Sequence, residues 1–358
     1  MKLAYITNVP LSATDAQSIQ VRAMAHTFGT LLGDEFVLYS PGEEDGADRT
    51  YRWVPIRVVG HFPRALRYGL FILTTLTYTY RSKPEHIYSR DIGVIAVYRL
   101  LGYKTTYEIH KPFQTRVGHV LFRLLSRYIT VVSISHALKA YVLATYPISE
   151  KRVCVAHDGV FLEDYNMLEK KSCQKKLRHA CHATADQKVV LYSSNLYPGK
   201  GLELIEAAAS KLPHMIFVIM GKQRDGGDAP NALSPNVVYL GRKKIEEVPL
   251  YISGADLLVI PFTKQLLTWQ YHSALKSFEY MASRVPIVTS DIGSLREIFS
   301  ESNAWLFSPE NTESFIHALE AASSDLDLSY KKSAQAYTDV QAYTWHKRAL
   351  NILSFLNI

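Results

Sequence analysis

The chain has 358 residues, 47% of them hydrophobic and 20% charged, with 18 Gly and 15 Pro. This composition excludes a disordered, collagenous or low-complexity protein and, at about 100–200 residues per domain, points to two domains. Forty Lys+Arg against 33 Asp+Glu give +7, and the excess is local: residues 61–152 hold fourteen Lys/Arg and only four Asp/Glu, a surface suited to an anionic membrane, a phosphorylated ligand or nucleic acid.

In chain order, KLAYITNV is a short apolar run that stops at Pro10, as a buried parallel strand would. SIQVRAMAHTFGTLL (18–32) has helical spacing, with Ser18 as a candidate cap, and FVLYS (36–40) is the next strand. The most apolar run, YGLFILTTLTYTY (68–80), lies between Arg67 and Arg81. It is shorter than the ~20 residues of a bilayer span and is expected to be buried or interfacial. Strands follow at 86–91, 105–110, 129–135 and 152–160, with helices at 92–101, 117–128 and after His136.

A polar connection at 166–188 contains a helix, and the alternation then restarts. Strands at 189–195, 215–221, 236–241, 255–262 and 285–291 are separated by helices, including one over 200–212. Repeated βα units in two halves predict an α/β protein with two doubly wound domains. A helical segment with Trp345 closes the chain.

Several classes are excluded. No G-x-G-x-x-G follows the first strand and no Walker A loop is present, which argues against a nicotinamide enzyme and a P-loop ATPase. Cys154, Cys173 and Cys181 are odd in number and lack zinc-like spacing, so they read as reduced thiols of a cytoplasmic protein. His26, His119, His179 and His182 form no metal-ligand cluster with them, so no metal is expected. The first residues are too polar for a signal-peptide core. No nucleic-acid motif accompanies the basic stretch.

The chemistry concentrates in YHSALKSFEYMASRVPIVTSDIGSLREI (271–298). A helix starting near Ser273 would present free N–H groups and its positive end to an anion such as a pyrophosphate. Lys276 would lie in its first turn, where a cation is mildly unfavourable unless an anion is near. Glu279 could accept two hydrogen bonds from vicinal hydroxyls. Lys200, between Gly199 and Gly201 at a strand–helix turn, can reach a diphosphate.

Ser273, Leu275, Lys276, Phe278, Glu279, Tyr280, Met281 and Ala282, then Pro286–Val288 and Leu295–Ile298, resemble the retaining glycosyltransferases of the large family-four type, of the bacterial cell-surface polysaccharide kind. SIQVRAMAHTF (18–28), IYSRD (87–91), YEIH (107–110), AHDGV (156–160), YPGKGLELIEAA (197–208), GADLLVIPF (254–262) and TWHKRA (344–349) extend the likeness over nearly the whole chain.

The resemblance implies a GT-B fold, two Rossmann-like domains facing a cleft. The first, 1–165, would bind the acceptor and the second, 166–340, the nucleotide sugar; residues 341–358 would pack back on the first. His110, Lys200 and Lys276 would be catalytic, with Glu279 on the donor ribose. Asn195, Gly201, Tyr271, His272, Ser273, Ala274 and Leu275 would complete the donor site. Ser18 and Glu108 would lie on the acceptor side, Glu108 alternatively orienting its neighbours.

Two positions depart from the family pattern: Asn195 replaces an Arg, and Tyr271 replaces a Glu that contacts the donor sugar. The implied reaction moves a sugar with retention from a UDP- or GDP-sugar to a glycan or lipid-linked acceptor, in polysaccharide or lipopolysaccharide synthesis, with no cofactor. RALRYGLFILTTLTYTYR and KPFQTRVGHVLFRLLSRY interleave Arg with apolar residues, as a face docked on the inner leaflet would. The alternatives are a sugar-nucleotide 2-epimerase, which shares the fold, and a catalytically weak nucleotide-sugar-binding subunit.

Overall fold

A computed structural model describes residues 1–12, 15–43, 49–58, 62–222 and 233–358. The chain divides into two compact units, Met1–Asp158 with Trp345–Ile358, and Gly159–Thr344. The expected boundaries were 165/166 and 340/341. The crossing segments belong to the second unit because Val160 bridges Thr344 and its N–H donates to the Tyr343 carbonyl.

The first unit runs β1 (Leu3–Ile6), α1 (Ala16–Leu32), β2 (Phe36–Pro41), β3 (Arg52–Ile56), α2 (Arg64–Ser82), β4 (His86–Ser89), α3 (Ile92–Leu100), β5 (Lys104–Ile109), α4 (Arg116–Leu125), β6 (Thr130–Ser133), α5 (His136–Thr145) and β7 (Val153–Val155). The second runs α6 (Glu163–Asn166), α7 (Lys170–Cys181), β8 (Lys188–Ser193), α8 (Leu202–Lys211), β9 (Met215–Met220), β10 (Val237–Gly241), α9 (Val248–Ser253), β11 (Leu257–Ile260), α10 (Leu275–Ala282), β12 (Ile287–Ser290), β13 (Trp305–Phe307), α11 (Thr312–Ser324) and α12 (Leu326–Val340). The last helix, α13 (Trp345–Leu356), returns to the first unit and packs on α1.

Both sheets are parallel and doubly wound. The orders are β3-β2-β1-β4-β5-β6-β7 and β10-β9-β8-β11-β12-β13. Strand order therefore reverses between β1 and β4 and between β8 and β11, the places where open α/β sheets take ligands beyond their strand ends. Near-continuous apolar strands such as MIFVIM of β9 are buried on both faces, as parallel sheets with helices on each side require.

Several local expectations change. The helix predicted from Ser18 starts at Ala16, and its cap is Asp15, whose carboxylate accepts from the Ser18 N–H at 2.8 Å. The strand β3, RWVPI, carries too weak an alternation, and a Pro, to be seen in the sequence. It pairs only with β2, at the sheet edge, where a Pro costs no ladder bond. Residues 68–80 lie within α2, which buries Phe71, Ile72, Thr75 and Thr79 and leaves Leu73 and Tyr80 exposed.

Candidate functional site

The second unit assembles its site at the β8/β11 switch point. Lys200 precedes α8, and the glycines around it have left-handed backbones, φ +85° at Gly199 and +77° at Gly201. Any side chain at Gly201 would collide with the Pro261 carbonyl, so the turn needs glycine there. The Tyr192 hydroxyl donates to the Lys200 carbonyl at 2.7 Å, fixing the turn to the end of β8.

The helix expected from Ser273 starts two residues later, at Leu275, after Ala274; Lys276 is in its first turn. The Tyr280 hydroxyl, one turn on, accepts the Ser193 N–H at 2.8 Å and holds α10 to β8. Neither α8 nor α10 has a side-chain cap, so two helix starts present backbone donors.

The two lysines converge on one ring. Lys200 Nζ stands 3.9 Å from the Phe262 ring centroid, and Lys276 Nζ stands 5.0 Å from the same centroid. Lys276 also lies 4.6 Å from the Tyr192 ring and Lys200 5.0 Å from that of Tyr197. Both lysines are nearly buried, at 8% and 9% exposure. Aromatic faces attract a cation, but they do not replace a counter-ion.

The Lys276 ammonium has no hydrogen-bond partner among the described residues. Burial lowers Lys200 to about 7. Burial, and then the neighbouring Lys200, drives Lys276 well below the usual lysine range, with Glu279 opposing. Burial raises Glu279 to about 7, with Lys276 pulling it down and Asp164 pushing it up.

His272 joins this cluster, its ring 5.1 Å from that of Phe262. Its Nδ1 donates to the Thr268 carbonyl at 3.1 Å, which leaves Nε2 a bare, buried acceptor without a partner. Burial, then Lys200, lowers it to about 3, so it is neutral. Lys200, Gly201, His272, Ala274, Leu275, Lys276 and Glu279 thus lie together at the two helix starts. Tyr271 and Ser273 are half-buried beside them in the chain. Asn195 is exposed, and its carboxamide oxygen accepts the Lys222 N–H at 3.2 Å, so it serves the loop after β9.

In the first unit His110 follows β5, and its Nε2 lies 2.5 Å from Glu108 Oε1. Burial, then Arg90, lowers His110 to about 4 against the pull of Glu108. A neutral ring donating from Nε2 to the carboxylate leaves Nδ1 as its acceptor.

Glu108 and Ser18, expected on the acceptor side, do not reach the surface. The Ser18 hydroxyl donates to the Pro10 carbonyl at 3.0 Å and its side chain is fully buried. Glu108 accepts from Tyr88 and pairs with Arg348 Nη2 at 3.2 Å. Burial alone would raise its carboxyl, but Arg348, His110 and Arg90 outweigh that and hold it well below the usual range. Glu108 therefore orients His110.

Sequence reasoning missed Phe262 and Arg348. Arg348, on α13, also donates to the carbonyls of Ala156 and His157. GADLLVIPF contained Phe262 within the family resemblance, but nothing in it pointed to the lysines. TWHKRA contained Arg348 within the family resemblance, but nothing in it pointed to Glu108.

Residues 187–325, most of this unit, match the family described as glycosyl transferases group 1. Over these residues the chain is similar to the group 1 glycosyl transferases, and the likeness to curated proteins extends beyond them. An uncharacterized glycosyltransferase of Methanocaldococcus jannaschii is 23% identical over 239 residues, 64% of this chain and 60% of that protein. The chain spans about three fifths of the length of the curated relatives it matches first.

Among solved structures, sucrose-phosphate synthase of Thermosynechococcus elongatus superposes with a TM-score of 0.80 at 16% identity, over 100% of this chain and 98% of that one. Anabaena HepE in complex with UDP gives 0.78 at 15% identity, over 100% of both chains. These establish the GT-B fold, two Rossmann-like α/β units.

Proposed function

We propose that the protein is a retaining glycosyltransferase that moves a hexosyl or related sugar from a nucleotide sugar, a UDP-sugar first among them, to a glycan or lipid-linked acceptor in cell-surface polysaccharide or lipopolysaccharide synthesis. The observation that carries this reading is the pair of buried lysines, Lys200 and Lys276, packed on Phe262 with no carboxylate in ion-pair contact among the described residues. Two desolvated cations beside two uncapped helix starts fit a diphosphate, whose charge grows as the sugar departs.

In this reading the lysines stabilise the leaving diphosphate, Glu279 holds the ribose hydroxyls, and the His272 Nε2 accepts from a ligand hydroxyl. His110 of the first unit, neutral and held by Glu108, accepts from a hydroxyl of the reacting sugar without repelling its oxocarbenium-like charge. The departing phosphate helps deprotonate the acceptor on the same face, which retains the anomeric configuration. The matched family and the names of the relatives favour transfer over the 2-epimerase and binding-subunit alternatives.

The test is turnover of UDP-sugars by Lys200→Ala and Lys276→Ala, each expected to lose about 10²-fold from missing charge stabilisation. Folded variants with wild-type turnover would remove both lysines from the reaction.

The protein acts in the cytoplasm, at the inner membrane face. Among the described residues no helix is long and apolar enough to cross a membrane. Instead, α4 exposes Val117, Val120 and Leu124, and Tyr128 just beyond it continues this face, at spacings i, i+3, i+7 and i+11. Arg116, Arg123 and Arg127 run along the edge of this face at the matching spacing. An apolar stripe edged with arginine fits an anionic lipid surface. Arg116→Glu/Arg123→Glu/Arg127→Glu should reduce co-sedimentation with phosphatidylglycerol vesicles severalfold at low salt. Equal sedimentation of variant and wild type would refute docking by this helix.

A further inference from the structure

The first unit contains an open cavity of about 570 Å³ whose lining includes Arg57, Arg64, Arg67, Tyr68, Phe71 and Glu43. It lies at the carboxyl ends of β1, β2 and β3, because Asn8, Gly42 and Ile56 also line it, and against the first two turns of α2. Strand ends on this side of an open parallel sheet are where such folds hold ligands. The volume suits a sugar-sized ligand.

The charges are arranged for an anion. The first turn of α2 has no acidic residue and no side-chain cap. It carries Arg64 at its first position and Arg67 one turn on, against the positive end of the helix dipole, where a cation is unfavourable without an anion nearby. Arg57, just past β3, adds a third guanidinium from a separate element. All three are exposed, and among the described residues none is ion-paired, although Glu43 also lines the cavity. One carboxylate has two oxygens to offer such forks, whereas a phosphate monoester has three terminal oxygens and a second negative charge.

We propose that this cavity binds the acceptor through a phosphate ester, held by Arg57, Arg64 and Arg67, with the rest of the acceptor against Tyr68 and Phe71. The identification of the ligand as the acceptor rests on the glycosyltransferase reading; the phosphate site itself does not. The phosphate is either that of a soluble sugar phosphate or that of a lipid headgroup.

The test uses the full chain carrying Lys200→Met/Lys276→Met, so that the cations of the second unit cannot take the probe. Glycerol 3-phosphate is titrated by calorimetry, and vesicles containing phosphatidic acid, whose headgroup is a phosphate monoester, are compared by sedimentation with vesicles of phosphatidylcholine alone. Arg64→Gln/Arg67→Gln is then added, with its melting temperature measured to confirm the fold. The expected result is glycerol 3-phosphate binding that weakens at least about tenfold in the arginine variant. If only the phosphatidic acid vesicles bind, and the arginine variant reduces that binding, the site is confirmed and the phosphate is a lipid headgroup.

The proposal is overturned if neither probe binds, or if binding is unchanged without the two arginines. UDP titrated into the wild type and into Lys200→Met/Lys276→Met separates the two readings. Arginine-dependent phosphate binding without lysine-dependent UDP binding refutes the donor site alone. The reverse outcome refutes the cavity alone.

Discussion

The two units bury charge in opposite ways. In the first, the buried ions near His110 have charged or polar partners, although Arg348 Nε makes no hydrogen bond among the described residues: Glu108 meets Arg348, His110 and Tyr88, Gln20 bridges Arg90 and Asp158, and Arg348 also satisfies two carbonyls. In the second, Lys200 and Lys276 are buried against aromatic rings with no carboxylate in ion-pair contact among the described residues. A closed set of charges holds a shape, and its removal costs stability. An open set is a standing penalty that a ligand of opposite charge relieves. The same residue types thus scaffold in one unit and recognise in the other.

This contrast can be broken at either end. The largest effect is expected at Arg348→Met, which strips Glu108 of its strongest partner and leaves a buried carboxylate uncompensated. A loss of about 3–5 kcal/mol follows from opening such a pair, read as a lower urea midpoint. An unchanged midpoint would mean that the first unit's network does not support its fold.

The smaller and opposite effect belongs to the lysines. Lys200→Met/Lys276→Met should raise the melting temperature of the ligand-free protein, by about 2–4 °C for each kcal/mol relieved. The sign of its pH dependence is fixed by Lys200, which burial lowers to about 7 from the ordinary lysine value of 10.5. Below pH 7 both folded and unfolded chains carry the charge, and the burial penalty is whole. Between 7 and 10.5 the folded chain has released a proton that the unfolded chain keeps, so the wild type gains stability as pH rises. The advantage of the double variant should therefore be greatest below pH 7 and shrink towards 10.5. A constant difference across that window would show that Lys200 does not titrate in it.

Much of the site was readable before any coordinates. Gly199-Lys200-Gly201 and the Lys276–Glu279 spacing are local patterns, and the structure places them at neighbouring helix starts. Reading fared worse where a role depends on what lies behind a side chain. Ser18 and Glu108 were expected on the acceptor side, yet both are consumed by buried hydrogen bonds, and for Glu108 it is the alternative, orienting its neighbours, that its contact with His110 fits. Arg64 and Arg67 read as part of a membrane-facing run, and the structure puts them around a cavity.

By itself the sequence determined two successive βα repeats, the glycines of the Lys200 turn and the helix that begins near Lys276, because hydrophobic period and backbone freedom are properties of neighbouring residues. Only the tertiary structure decided that Phe262 receives both lysines, that Arg348 closes on Glu108, and that Arg57 beyond β3 joins two arginines of α2 around one cavity. Those meetings are made by the way strands and helices pack, which leaves no mark on the local pattern.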